Sequence, residues 1–244
     1  MEPSRSGAGG AAVAPSPTPI DHRRSGLQDL IQRAFFALLM RPFLAIFVGL
    51  RVSGREHLPA ADPFILIANH SSHLDTVSIL SLFPGSRLRR IRPVAAADYF
   101  ERNRLIGWLT RTLFNTLPIV RKGVTEENDP RPRMLQTLKD GTSLILFPEG
   151  TRGAGEEIGR FRTGVAYLVL HLPGLSVVPV YLENMGRSLP KGEFVPVPFF
   201  CGVRIGAPLR PAGTQEEILA ALEAAVRELK GREDGAGRAH ASDR

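Results

Sequence analysis

Short apolar runs alternate with longer amphipathic segments along most of this chain. The apolar runs have the length of strands and lie between turn-forming residues, which favours strands over helices. Six runs are predicted strands: Phe64–Ala68, Ile91–Ala95, Thr116–Val120, Ser143–Phe147, Ser176–Leu182 and Phe199–Ile205. Several of them are apolar at nearly every position, which is typical of parallel strands covered on both faces.

Five segments between and after these runs have the spacing or the end signals of helices. They are Leu74–Phe83, Arg104–Leu113, Arg131–Asp140, Thr163–Leu172 and a last helix that opens at Thr214. Asp129 followed by Pro130 is a typical helix start, and the residues from Thr214 to Glu217 form a capping box. Alternating strands and helices predict an α/β fold with a mixed, largely parallel sheet flanked by helices.

One predicted strand contains an internal proline, Pro179 within Ser176–Leu182. Proline has no N–H to donate to a neighbouring strand. The position therefore predicts an edge strand or a bulge and not a regular central strand.

The segment Leu27–Leu50 is apolar on nearly all sides, and Arg41 and Pro42 interrupt it. A membrane-spanning helix needs about 20 uninterrupted apolar residues. A charge and a helix-breaking proline therefore favour two short helices at a membrane interface over one span. A pair of core helices is the alternative. Because the run lacks a single apolar stripe, it predicts an N-terminal membrane-associated helical segment.

Composition divides the 244 residues into four parts. Residues 1–26 are rich in Gly, Ala, Pro and Ser, lack the apolar stretch of a signal peptide, and predict a disordered tail. Residues 27–50 are the predicted membrane-associating helices, and residues 51–230 have the length of one domain. Residues 231–244 predict a second disordered tail.

The net charge of +7 is concentrated in one segment. Between Arg87 and Arg133 there are eleven Lys or Arg and five Asp or Glu, which gives +6. An anionic membrane or a phosphorylated substrate explains such a segment, and so does an ordinary solvated surface. The chain has no zinc pattern, basic heptads or aromatic single-strand motif, which argues against nucleic acid as a partner. The single cysteine, Cys201, excludes an internal disulfide.

The first candidate for chemistry is an imidazole and a carboxylate five residues apart, His70 and Asp75, directly after an apolar run. A neutral imidazole removes a proton from an alcohol near pH 7, and it does so best when its other nitrogen donates to a carboxylate. Asp75 is also explained as a first-turn acid of a helix that starts near Ser72. A metal site at His70, His73 and Asp75 is the weaker alternative, because no further ligand cluster appears.

The second candidate is Phe147–Arg152, which follows another apolar run. Pro148, Glu149 and Gly150 fit the positions of a type I turn, so a plain strand-ending turn is one explanation. Arg152 adds paired donors for a phosphate, and Glu149 is placed to hold that guanidinium or to bind a substrate hydroxyl. The strand before Arg121 delivers a further cation, which is otherwise explained as part of a solvated loop.

Together these blocks resemble the glycerolipid acyltransferase family of 1-acyl-sn-glycerol-3-phosphate acyltransferase. The segment His70–Asp75 is similar to its HxxxxD signature, and Phe147–Arg152 matches its FPEGTR block in full. Leu117–Arg121 resembles the block that ends in a substrate-binding arginine, and Val177–Val180 the proline-containing fourth block. The order of the blocks is that of the family, and the resemblance covers about Arg51–Leu209.

The resemblance implies transfer of a fatty acyl group from acyl-CoA or acyl carrier protein to a lysophospholipid hydroxyl, most simply lysophosphatidic acid to phosphatidic acid. It implies that His70 is the base and Asp75 its orienting acid, with no metal or other cofactor. It also implies a phosphate clamp at two arginines and a glycerol site beside them: Arg121, Arg152, Glu149, Gly150 and Thr151. Membrane lipids are the implied partners, and the cytoplasmic face of a membrane the implied location.

One position departs from the family pattern. Asn115 stands where the second block usually begins with glycine. This departure leaves the acceptor open, with lyso-ornithine lipid or another lysolipid as alternatives. A non-catalytic lipid-binding protein of the same fold and a thioesterase are the further alternatives, and the intact pair of His70 and Asp75 argues against the first of these.

Overall fold

The computed structural model describes residues 24–97, 104–121, 123–153, 157–189, 197 and 200–231. Except for residues 24–26 and 231, the two predicted tails lie outside these ranges, as does Phe199 in the last predicted strand.

Seven strands form one sheet in the described part of the chain. They are β1 (Arg51–Ser53), β2 (Phe64–Ala68), β3 (Ile91–Ala96), β4 (Leu117–Ile119), β5 (Ser143–Leu146), β6 (Ser176–Glu183) and β7 (Gly202–Ile205). Their order in space is β1-β7-β6-β2-β5-β3-β4. All neighbours run parallel except β6 and β7, which are antiparallel. The predicted mixed, largely parallel sheet flanked by helices is confirmed.

Helices connect and cover these strands. They are α1 (Gly26–Ala34), a π-helical stretch (Phe35–Met40), α2 (Arg41–Ile46), α3 (Leu74–Ser81), α4 (Arg104–Phe114), α5 (Pro130–Lys139), α6 (Gly164–His171), α7 (Met185–Ser188) and α8 (Gln215–Gly231), with short 3-10 turns at Arg55–His57 and Leu88–Arg90. Both predicted caps are present. Asp129 accepts from the N–H of Arg131 at 2.9 Å, and Thr214 and Glu217 exchange hydrogen bonds at 2.8 and 3.3 Å.

The core has one layer on each face of the sheet, and β2 contributes to both. Phe64 and Leu66 pack with α3 and the N-terminal helices on one face, whereas Ile65 and Ile67 pack with α5, α6 and α8 on the other. All four side chains are completely buried. Truncating such a side chain to alanine costs about 2–5 kcal/mol, so these strands fix the frame on which the polar turns sit.

The N-terminal segment continues through its proline, which corrects the prediction of two helices separated there. The backbone N–H of Arg41 donates to the carbonyl of Phe36, five residues earlier. Pro42 is the second residue of α2 and lies in its first turn. In an α-helix the ring of a proline clashes with the carbonyl four residues earlier. In the π-helical turn the hydrogen bonds join residues five apart, which accommodates the ring, so the chain stays helical from Gly26 to Ile46.

This helical segment has two apolar sides. Phe36 and Leu44 are buried in the core, and Leu38 and Ile46 on the other side are 78% and 75% exposed. No helix in the described ranges combines the length and hydropathy needed to cross a bilayer.

Pro179 lies in β6, which has β7 on one side and β2 on the other, so the predicted edge position is wrong. The bulge alternative holds. Val180 pairs with Ile205, whereas Val177 pairs with Leu209, so one extra residue lies opposite the proline. A Cβ on Gly206 would approach the Pro179 ring to 2.9 Å, so this bulge requires glycine there.

Candidate active site

The centre of the sheet brings the two predicted motifs together. Strands β2 and β5 are neighbours and parallel, so they end at the same edge. The segment Asn69–Asp75 follows β2, and the turn Phe147–Arg152 follows β5. The carboxyl edge of an open α/β sheet is where such folds place their sites.

His70 and Asp75 form a direct pair. The His70 Nδ1 lies 2.8 Å from the Asp75 Oδ2. The same oxygen accepts the backbone N–H groups of Ser71 at 2.6 Å and Ser72 at 2.8 Å, and Asp75 is completely buried. Asp75 is a first-turn acid of α3, as one explanation held, and the oxygen that orients the imidazole also accepts from the loop before that helix. The Nδ1 proton is held towards Asp75, which leaves Nε2 as the basic nitrogen.

Three contacts fix the position of the imidazole. Its ring stacks on Phe147 with centroids 4.1 Å apart and planes 20° from parallel. The backbone N–H of His70 donates to Glu149 Oε1 at 3.1 Å, and its carbonyl accepts from Gly153 at 2.9 Å. The side chain is 15% exposed. Within the described residues Nε2 takes no hydrogen bond, so the fold occupies one ring nitrogen and leaves the other for a ligand.

The predicted strand-ending turn is present. The N–H of Gly150 donates to the carbonyl of Phe147 at 3.0 Å. Gly150 has φ +79°, and a Cβ there would collide with the Arg162 guanidinium. Arg162 lies across this turn and donates from Nε to the carbonyl of Glu149 at 3.3 Å. Glycine is therefore required both by the backbone conformation and by the arginine packed on it.

Glu149 connects the two motifs through backbone groups. Its Oε1 accepts from His70, and its Oε2 accepts from the N–H of Gly159 at 3.2 Å. Burial is the main reason that the pKa of Glu149 is raised, and the two backbone hydrogen bonds oppose it. The predicted contacts of Glu149 with Arg152 or with a substrate hydroxyl stay predictions, while the structure gives this carboxylate a positioning role.

The predicted arginines approach the same turn from two directions. Arg121 follows the edge strand β4, and its Nη1 donates to the carbonyl of Gly150 at 2.8 Å. Thr151 is exposed and Arg152 partly buried, directly after the turn. Arg152 lies close enough to His73 for its charge to act on that ring. The structure thus gathers all seven predicted site residues at one edge of the sheet.

His73 lies at the first turn of α3 and not in the imidazole–carboxylate pair. Burial lowers the pKa of His73 below its usual 6.5, the charges of Arg152 and His70 lower it further, and Asp75 partly opposes them. In the described ranges no group of three or more His, Cys, Asp or Glu side chains is placed to hold a metal ion.

Sequence reasoning missed the roles of Asn69, Phe147 and Arg162. Asn69 is buried, donates from Nδ2 to the carbonyl of Leu182 at 2.9 Å, and accepts from the same residue's N–H at 2.7 Å. It extends the pairing of β2 and β6 up to His70. A polar residue directly after a fully apolar strand was the available signal for this role.

Asn115 lies at the other end of the strands from these residues, and its predicted influence on the acceptor stays a prediction. It precedes β4, at the amino end of the strands, with φ +53°. Its Nδ2 donates to the carbonyls of Arg89 at 3.0 Å and Ile91 at 3.4 Å. Asparagine tolerates the left-handed conformation for which glycine is the usual choice, and here its amide also caps the start of β3.

The residues 49–183 match the family model described as Acyltransferase, and the chain belongs to that family. It is 30% identical, over 71% of its length, to the chloroplastic 1-acyl-sn-glycerol-3-phosphate acyltransferase LPAT1 of Arabidopsis thaliana, and covers 46% of that protein. It is 26% identical, over 78% of its length, to 1-acyl-sn-glycerol-3-phosphate acyltransferase alpha of Homo sapiens, and covers 65% of it. The chain thus spans about half to two thirds of the length of these relatives.

The fold matches that of a solved structure, the 1-acyl-sn-glycerophosphate acyltransferase PlsC from Thermotoga maritima. The TM-score is 0.66, with 22% identity over 84% of this chain and 82% of that one. This likeness concerns the fold, and it agrees with the sheet order and the helices described above.

Proposed function

We propose that this protein transfers a fatty acyl group from a thioester to the hydroxyl of a lysophospholipid, with lysophosphatidic acid as the acceptor and phosphatidic acid as the product. The observation that carries the proposal is the 2.8 Å contact between His70 and Asp75, beside a turn that Arg121 contacts. The names of the relatives, 1-acyl-sn-glycerol-3-phosphate acyltransferases, support this choice of acceptor.

In the proposed reaction His70 acts as a general base. Its Nε2 takes the proton of the acceptor hydroxyl while Nδ1–H stays hydrogen-bonded to Asp75, which stabilises the imidazolium that forms. The oxygen then attacks the thioester carbonyl. Stacking on Phe147 and the backbone contact with Glu149 keep the ring in one orientation during this step.

The attack gives a tetrahedral oxyanion, which backbone N–H groups at the site stabilise. Its collapse re-forms the carbonyl, breaks the carbon–sulfur bond and expels the thiolate. The imidazolium of His70 returns its proton to that sulfur. Atoms and charge balance in this sequence without a metal or a covalent enzyme intermediate.

Arg121 and Arg152 are proposed to bind the phosphate of the acceptor, because planar guanidiniums match phosphate with paired hydrogen bonds. Thr151 and Gly150, between them on the turn, shape the glycerol site. Glu149 keeps this turn attached to the histidine. Acyl-CoA and acyl carrier protein both supply the required thioester, and both remain proposed donors.

The N-terminal helices are proposed to hold the enzyme on the cytoplasmic face of a membrane, where its lipid substrates lie. Seven large apolar side chains of this segment are exposed: Leu27, Leu30, Ile31, Leu38, Leu39, Ile46 and Phe47. Trp108 and Leu109 on the adjoining α4 are 54% and 42% exposed. An apolar surface of this kind, with a tryptophan on it, suits the interface of a bilayer.

Reaction and acceptor are tested in one assay of the purified chain in mixed micelles. The acceptors are lysophosphatidic acid, monoacylglycerol and lyso-ornithine lipid, each offered with acyl-CoA and with acyl carrier protein. Thiol release is followed in time and products by mass spectrometry. We expect thiol release that depends on lysophosphatidic acid and yields phosphatidic acid. Equal release without acceptor would indicate a thioesterase, and acylated ornithine lipid as the main product would overturn the acceptor.

Arg121→Ala tests the phosphate clamp. We expect the KM for lysophosphatidic acid to rise about tenfold, the worth of one charge-assisted hydrogen bond, with a smaller change for monoacylglycerol. Arg227→Ala is the matched control, because this exposed arginine pairs with Glu223 on α8. Equal losses on both acceptors would contradict a phosphate contact at Arg121.

A further inference from the structure

A second group of arginines surrounds the segment that enters the edge strand β4. Arg92 is the second residue of β3, Arg133 belongs to α5, and Arg24 precedes α1. All three donate to carbonyls of the segment 111–118, which joins α4 to β4. Three elements that are distant in sequence thus direct guanidiniums towards one short stretch of chain.

The hydrogen bonds of this group leave donors unused. Arg92 makes long contacts, from Nε to Asn115 at 3.3 Å and from Nη2 to Thr116 at 3.5 Å. Arg133 donates from Nη1 to Pro118 at 3.3 Å, and within the described residues its buried Nε has no partner. A guanidinium has five N–H groups, so both side chains retain donors after binding the chain.

The charges of this group are incompletely neutralised. In the described ranges Arg24 pairs with Asp29 at 3.2 Å, and neither Arg92 nor Arg133 has an ion pair. The pKa of Arg92 is lowered to about 10. Burial is the main cause, and the nearby charges of Arg133 and Arg24 contribute to the same shift. Like charges at short range in a partly buried site are stabilised by a bound anion.

The group borders the apolar surface assigned above to the membrane. Arg24 comes three residues before Leu27, which is 65% exposed on α1. α1 packs against α4, where Gln32 donates to the carbonyl of Leu113 at 3.0 Å. Trp108 lies one turn before Thr112, whose carbonyl accepts from Arg24 at 2.6 Å. A phosphate held by the arginines would thus lie at the rim of an apolar surface, as a lipid headgroup does.

We propose that Arg24, Arg92 and Arg133 form an anion site for the phosphate of an anionic membrane lipid, separate from the catalytic site. This inference rests on the proposed membrane association. The bound lipid is neither acceptor nor product, because Arg92, which both other arginines approach, lies at the amino end of β3, whereas His70 follows the carboxyl end of β2. The site anchors the apolar surface on membranes that carry negative charge.

The experiment measures binding of the full chain to vesicles by co-sedimentation. One set of vesicles is phosphatidylcholine alone, and the other contains about one fifth phosphatidylglycerol. Arg133→Gln removes a charge from the group, Arg133→Lys retains it, and Arg131→Gln removes a charge from the same helix. Arg131 is a fair control, because it is exposed and paired with Asp129 at 2.7 Å.

We expect Arg133→Gln to weaken binding to the anionic vesicles about fivefold, the ordinary effect of one basic side chain at such a surface. Binding to neutral vesicles stays unchanged. Arg133→Lys retains more of the binding than Arg133→Gln, and Arg131→Gln behaves as wild type. Turnover on micellar acceptor is the same in all four proteins, which separates this site from the proposed reaction.

Equal losses for Arg133→Gln and Arg131→Gln would overturn a defined site in favour of general surface charge. If inorganic phosphate raises the Tm of wild type but not of Arg133→Gln, while vesicle binding is equal, the ligand is free phosphate and the lipid assignment is overturned. If wild type binds neither vesicle, the membrane association itself is wrong. The acyl-transfer assay decides the proposed reaction independently of these outcomes.

Discussion

The two ends of the sheet use buried polar side chains in different ways. At the carboxyl end, Asp75 accepts from the backbone and from His70, whose other ring nitrogen is left for a ligand. At the amino end, Asn115 and Arg92 donate to backbone carbonyls. The imidazole keeps one nitrogen for proton transfer in the proposed reaction, whereas a guanidinium is a permanent donor. One end is therefore suited to the proposed proton transfer, and the other holds the chain and, in our proposal, a lipid phosphate.

Removing the imidazole is the strongest test of this division. We expect His70→Ala to lower kcat by at least ~10²-fold, the usual contribution of a positioned general base. Its Tm should change little, because Asp75 keeps its hydrogen bonds to the N–H groups of Ser71 and Ser72. Steady-state kinetics and thermal unfolding measure the two effects. Near-normal turnover would remove His70 from the mechanism.

Asn115 should give the opposite result, a loss of stability without a change in chemistry. Asn115→Ala puts alanine, which disfavours the left-handed conformation, at φ +53° and removes two hydrogen bonds. We therefore expect the free energy of unfolding, measured in urea, to fall by about 2 kcal/mol. Asn115→Gly keeps the backbone conformation and should lose about half as much. The preference among lysolipids should be unchanged in both, and a switch of acceptor would restore the position to the specificity site.

His73 should give the smallest effect, visible in the pH dependence of stability. Because its pKa is lowered on folding from 6.5, the unfolded chain takes up a proton first as the pH falls. The free energy of unfolding therefore decreases below about pH 6.5, and the decrease continues until the pH passes the lowered value. His73→Gln should show a shallower decrease between pH 7 and 5, with turnover at pH 8 retained. An equally steep decrease would contradict the lowered pKa.

The sequence predicts the frame of this molecule well because its central strands are continuous apolar runs ended by turn residues. β2 occupies Phe64–Ala68 as predicted, and α5 begins at the predicted cap. The strand Arg51–Ser53 was missed, because its three residues carry no apolar pattern and depend on pairing with β7. Pro42 was misjudged because a π-helical turn depends on tertiary packing rather than on the residue itself.

The site was predictable to the level of residue types and spacing. The block Phe147–Arg152 showed a turn and a cation, and His70 with Asp75 showed a base and its partner. The contacts between motifs were not visible, since Glu149 reaches His70 across 79 residues and Arg162 covers a glycine it does not adjoin. The position of Asn115 depended on sheet order, which spacing along the chain does not give.

The Asp75 Oδ2 oxygen contacts both the imidazole and the backbone, and this bears on how a relative would lose activity. A descendant released from catalysis is free to replace His70, because no helix start depends on that ring. It is not free to replace Asp75, since the N–H groups of Ser71 and of the buried Ser72 would then lose their acceptor. In a degenerate copy of this protein the aspartate would outlast the histidine. His70 is therefore the residue that distinguishes active relatives from inactive ones, and an intact Asp75 alone indicates only that the fold is retained.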